Sequence, residues 1–130
     1  AVAWALHNHG VKITIVNRTL ETARILAEQT MSSYDSLEHA DLYSGTVDLV
    51  VQTTTVGMGG NDNPVPTFAF TGREIAYELI YEPRETSFLR CAKQAGCAVV
   101  DGAQMLMEQG KLQFEAFSGY HYPHWITVVL

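Results

Sequence analysis

Asn17-Arg18-Thr19 sets an amide, a guanidinium and a hydroxyl side by side, directly after the apolar run Val11–Val16 and before a helical pattern. Three more polar groups follow apolar runs in the same way: Gln52–Gly57, Tyr81-Glu82-Pro83 and Asp101-Gly102. In an open parallel sheet the carboxyl ends of the strands are where ligands bind, so these positions are where chemistry is expected. A guanidinium forks onto phosphate oxygens and stacks on adenine. A hydroxyl at a helix N-terminus adds to an anion site. A carboxylate at the Arg18 position would accept from a ribose 2′-hydroxyl and repel a 2′-phosphate. Arg18 and Thr19 therefore favour NADP over NAD. The competing reading of Arg18 is a solvated loop residue.

Tyr81 stands at the end of a buried run, followed by Glu82-Pro83 and a helix start. Its ring can cover a cofactor while its hydroxyl reaches a substrate; core packing is the alternative. Gln109 lies four residues after Met105 and three before Leu112, on a helical stripe that continues to Ala116. An amide on a buried stripe must find a partner. A substrate hydroxyl and a backbone carbonyl are the two candidates.

The elements that must position these residues alternate between strand and helix. The segment "AVAWALHNHG" reads as a helix already under way, capped by Gly10. It has no capping residue of its own, so the chain is expected to be the later part of a longer protein. Val11–Val16 reads as a strand and Thr19–Thr30 as a helix, with Thr19 as N-cap and Leu20, Ala23, Leu26/Ala27 and Thr30 on one face. Ser32–Tyr34 reads as a short strand, "SLEHADLYSG" as a short helix or loop, and Val47–Gln52 as a buried strand. "GMGGNDNPVPTF" is loop, rich in Gly, Asn and Pro. Ile75–Tyr81 is a strand that stops before Pro83. Thr86–Ala95 is a helix ended by Gly96, Ala98–Val100 a strand and Gly102–Phe117 a long helix. Continuous apolar strands between helices predict a doubly wound, mostly parallel α/β sheet covered on both faces. Residues 1–119 form that domain, and 120–130 form an apolar tail.

Composition narrows the classes. The 130 residues are 47% hydrophobic and 17% charged, as in an ordinary globular domain. A net charge of −6 argues against a nucleic-acid partner, which needs a basic surface. No apolar run approaches the roughly 20 residues that span a bilayer. Cys91 and Cys97 are too few for a disulfide framework and read as two buried thiols in a reducing cytoplasm. The five histidines lack ligand spacing, so no metal site is expected.

Together the four segments resemble the C-terminal, cofactor-binding part of the shikimate dehydrogenase family. That pattern has a strand ending in Asn-Arg-Thr, an Asn-X-Thr-Ser-X-Gly-Met loop, Asp-X-X-Tyr-X-Pro with a following Thr, and Asp-Gly-X-X-Met-Leu-X-X-Gln. The counterparts are Asn17-Arg18-Thr19, Gln52–Met58, Glu78–Pro83 with Thr86, and Asp101–Gln109 with Phe114. Order and spacing match across roughly Val2 to Gly119, which is far more specific than a lone glycine fingerprint. The resemblance implies a Rossmann-like domain in which Asn17, Arg18 and Thr19 hold the adenosine 2′-phosphate of NADP. It implies that Thr54 and Thr55 line the cofactor cleft and that Leu79 and Gly102 meet the nicotinamide end. Met105 would pack on the nicotinamide ring, and Tyr81 and Gln109 would reach shikimate.

Three positions depart from the pattern. Thr22 stands where Lys or Arg is frequent, which weakens the phosphate clamp unless Arg24 helps; Gln52 replaces Asn and Glu78 replaces Asp. The resemblance places the glycine-rich loop just before Ala1 and the catalytic Lys/Asp pair in an upstream substrate domain, so these 130 residues carry no catalytic residue. The expected whole enzyme reduces 3-dehydroshikimate reversibly to shikimate with NADPH, in aromatic amino acid biosynthesis. The alternatives are a quinate/shikimate dehydrogenase that accepts NAD and a Rossmann-like interaction domain without catalysis.

Overall fold

A computed structural model describes residues 1–123. The chain divides into two compact units, Ala1–Ser44 with Thr67–Ala69, and Gly45–Pro66 with the chain from Phe70 onward.

The first unit opens with helix α1, Val2–Asn8. The amide of Gly10 donates to the His7 carbonyl and that of Val11 to the Leu6 carbonyl. This paired cap, with Gly10 left-handed at φ 70°, closes the helix. It also draws Val11 out of the following strand. β1 therefore runs Thr14–Asn17 rather than from Val11. Helix α2 follows, Leu20–Thr30 with Thr19 as N-cap. β2, Ser33–Ser36, then pairs parallel with β1, Thr14 opposite Ser33 and Asn17 opposite Ser36. Ala23, Ala27 and Thr30 are buried on one face of α2, spaced four and three apart as a helix stripe requires. Leu20, at the end of that stripe, is exposed. The Thr30 hydroxyl is satisfied by donating to the Leu26 carbonyl at 2.9 Å. A 3-10 turn, Leu37–Tyr43, is tied to β2 through Asp35, which accepts from Tyr43 at 2.9 Å and pairs with His39 at 2.8 Å.

The second unit is a three-stranded parallel sheet in the order β3 (Leu49–Gln52), β4 (Ile75–Glu78), β5 (Ala98–Val100). Gln52 lies opposite Glu78 and Tyr77 opposite Val100. Helix α3, Ser87–Gln94, crosses from β4 to β5, and helix α4, Gly102–Ser118, leaves β5. Phe88, Leu89 and Ala92 of α3 pack with Ala76 and Cys97, and Phe70 meets Phe88 edge-on at 5.5 Å between ring centres. Phe88 and Leu89 are fully buried, worth about 1.5–3 kcal/mol each. This is the core that fixes β4 and β5.

The strands are parallel throughout, β1 with β2 in one sheet and β3, β4 and β5 in the other, as the α/β reading expected. Two expectations are corrected here. The strands are mostly half-buried rather than covered on both faces. Cys97 is buried, but Cys91 is exposed, because it falls on the outer side of α3. The tail expected at 120–130 lies largely outside the described residues, and α4 ends at Ser118 with Gly119 left-handed behind it.

Candidate functional site

The end of β1 carries the first group. Asn17 turns its Oδ1 back to accept the Thr19 amide at 2.9 Å, a local turn that stops the strand and starts α2. Thr19 sits extended at φ −96°, and its hydroxyl makes no capping bond to the helix. Arg18 is exposed and forms no hydrogen bond or ion pair among the described residues. This leaves an uncommitted guanidinium and hydroxyl at the mouth of an 11-residue helix, a favourable place for an anion. Arg24 is not a second free cation. Its Nε and Nη2 grip Glu21 at 2.9 and 2.7 Å, and Nη1 pairs with Glu28.

In the second unit the loops after β3 and β4 are braced by two buried side chains. Gln52 is 5% exposed; its Oε1 accepts the Thr54 amide and its Nε2 donates to the Val56 carbonyl at 3.0 Å. Thr54 in turn accepts the Val56 amide at 3.2 Å. One amide thus folds Thr53–Val56 into a compact turn and leaves Thr54 and Thr55 exposed. The Leu79 amide donates to the Gln52 carbonyl at 3.1 Å, joining this turn to the end of β4.

Glu78 is the second brace and is completely buried. Its Oε1 accepts the Ile80 amide at 3.1 Å and its Oε2 the Thr86 hydroxyl at 3.0 Å. Thr86 accepts the Leu89 amide at 3.3 Å and so caps α3. The carboxylate therefore ties both ends of the loop 79–86. It also ends β4 at Glu78, three residues before the expected Tyr81, by taking the Ile80 amide out of the ladder. Burial pushes the Glu78 carboxyl upward, against its hydrogen bonds from Ile80, Thr86 and Leu79.

Between these loops lies a cleft of about 600 Å³. Met58, Gly59, Gly60 and Asn61 form one side, and Tyr81, Glu82 and Pro83 the other. Tyr81 is 52% exposed, so core packing is not its role here. The glycine run Gly59-Gly60 was legible as loop, but not as a cleft wall; no residue type in it announces a ligand. Asp101 caps α4 by accepting the Gln104 amide at 3.0 Å. A Cβ on Gly102 would stand 2.4 Å from the Ile80 carbonyl and 2.5 Å from that of Leu79. Only glycine lets α4 start against that backbone.

The structure thus brings Leu79 and Gly102 together, sets Tyr81 on the cleft, and leaves Thr54 and Thr55 on the braced turn. Met105 is half-buried one turn along α4. Gln109 is exposed, and so are Leu112 and Ala116. The buried stripe expected around it is absent: only Gly102 and Ala103 of α4 are buried. Asn17, Arg18 and Thr19 belong to the other unit.

Parallel strands linked by helices, with polar groups gathered at their carboxyl ends, define a Rossmann-like α/β protein. No family model matches the chain. A shikimate dehydrogenase (NADP(+)) of Methanocella arvoryzae is 39% identical over 95% of this chain and 48% of its own length. A shikimate 5-dehydrogenase of Thermus thermophilus, solved with NADP(H) and shikimate, superposes with a TM-score of 0.84 at 35% identity, covering 94% of this chain and 46% of that one. A quinate dehydrogenase of Corynebacterium glutamicum solved with NAD gives 0.82 at 26% identity, covering 92% and 46%. The chain belongs to the shikimate dehydrogenase family. It spans about half the length of the curated relatives it matches.

Proposed function

We propose that this chain is the cofactor-binding part of an NADP-dependent shikimate dehydrogenase, whose remaining half, expected upstream, holds the substrate domain and the catalytic Lys/Asp pair. The observation that carries the cofactor choice is the free Arg18 guanidinium beside the uncapped Thr19 hydroxyl. These two, with the Asn17 amide, would hold the adenosine 2′-phosphate. Thr54 and Thr55 would line the cofactor path, and Gly102 with Leu79 would leave a flat backbone for the nicotinamide. Met105 would pack against that ring. Tyr81 would reach shikimate from the cleft wall, and the exposed Gln109 amide would meet a ring hydroxyl. When bound, the cofactor supplies the hydride exchanged with the substrate carbonyl; the chain's own residues bind and orient, and move no proton. Two unpaired thiols, one of them exposed, support a cytoplasmic setting.

A second reading, an enzyme that accepts NAD, is favoured by Thr22 and by the engagement of Arg24 with its own helix. Dissociation constants for NADP and NAD on the whole enzyme, with and without Arg18→Ala, separate the two. The NADP reading predicts a loss of about 10- to 100-fold for NADP alone, one to two charge-assisted bonds. Equal losses with both cofactors, or none, would refute it.

A further inference from the structure

Arg18 and Arg24 differ in what holds them. Arg18 makes no ion pair among the described residues, whereas Arg24 is saturated by carboxylates on both sides. Arg24 is the fifth residue of α2, and side chains on a helix lean toward its N-terminus. Without Glu21 its guanidinium would point toward the mouth of the helix, where Arg18 and Thr19 stand. Glu21 sits in the first turn and intercepts it with a two-pronged grip, Nε to Oε2 and Nη2 to Oε1. Glu28 holds the third edge from the turn behind.

We propose that Glu21 is a specificity-determining residue, which withholds Arg24 from the phosphate on the cofactor ribose and leaves that group to Arg18, Thr19 and Asn17. The inference rests on the assignment of Arg18 and Thr19 to the 2′-phosphate. Exposed pairs three and four apart on a helix add little to stability, so helix support is a small return for three charged side chains. Their effect on a phosphate is larger. Capturing Arg24 for a phosphate beside Arg18 requires breaking a bidentate pair. The result is a tempered preference for NADP over NAD, set by one free cation and one withheld cation.

The test is the pair of dissociation constants, NADP and NAD, on the whole enzyme and four variants, with melting temperatures to show that each is folded. Glu21→Gln should tighten NADP by about 3- to 10-fold, the worth of one partly exposed charge-assisted contact, and change NAD by less than about twofold. The gain should vanish in Glu21→Gln/Arg24→Ala, and Arg24→Ala alone should leave NADP affinity nearly unchanged. A gain that survives in the double variant would overturn the proposal, as would no gain in Glu21→Gln. So would a loss in Arg24→Ala as large as that in Arg18→Ala. Arg18→Ala without effect on NADP would instead overturn the phosphate assignment beneath it.

Discussion

Gln109 and Arg24 both changed meaning once their neighbours were visible. The spacing of Met105, Gln109, Leu112 and Ala116 is that of one helix face, yet spacing cannot say whether anything covers the face. Here Met105 is half-buried while Gln109, Leu112 and Ala116 are exposed, so Gln109 carries no packing duty among the described residues. This sharpens the test of its role. Gln109→Ala should leave the melting temperature of the whole enzyme nearly unchanged, since exposed substitutions usually fall within about 0.5 kcal/mol. Shikimate binding should weaken by about 10- to 200-fold if its amide bonds a ring hydroxyl, while NADP binding stays intact. A destabilised protein with unchanged shikimate affinity would refute the assignment. Arg24 shows the same limit from the other side: its partners Glu21 and Glu28 are visible in the sequence as helical neighbours, but the choice between them and a phosphate is geometric.

At the scale of elements, the two buried acids that flank β4, Glu74 before it and Glu78 at its end, respond to pH in opposite directions. Glu74, just before β4, is buried, which pushes its carboxyl upward. Its own amide, the Thr71 amide and hydroxyl, and the Cys97 thiol outweigh that and hold it at about 2. A carboxyl lowered from about 4.5 stabilises the fold above pH 4.5, and that contribution is lost as pH falls through 4.5 toward 2. Glu78 is raised, so it acts in reverse: its ionisation opposes folding, and the penalty eases as pH falls through its folded value. Glu74→Gln should therefore flatten the acid limb of stability between pH 4.5 and 2, and Glu78→Gln should not. Acid titrations of the two variants by circular dichroism check this; an unchanged limb in Glu74→Gln would contradict it. Gly102→Ala should cost about 1–3 kcal/mol, because its Cβ meets backbone rather than a side chain that can move. A melting temperature equal to the parent's would contradict that close approach. These couplings explain what was legible beforehand. Helix α2 was legible from Thr19 as N-cap and its helical stripe, and α3 from the Gly96 that ends it. The start of β1 and the end of β4 were not, because Val11 is taken by a helix cap and Ile80 by the Glu78 carboxylate. The division into two sheets was not legible either, since apolar runs specify strands but not their partners.

At the scale of the whole molecule, the chain spans about half of the relatives it matches. Arg18 and Thr19 lie in one of its units, Tyr81 and Gln109 in the other. On the proposed function, these 130 residues should contribute cofactor affinity and two substrate contacts, but no turnover on their own. Among the described residues no helix is long and apolar enough to cross a membrane. The most direct test of the proposed function is the initial rate of NADP reduction by the whole enzyme with shikimate, followed at the absorbance band of NADPH. The expected result is shikimate-dependent reduction of NADP, faster at low cofactor concentration than with NAD, and lost to the 130-residue chain alone. No shikimate-dependent reduction of either cofactor by the folded whole enzyme would contradict it.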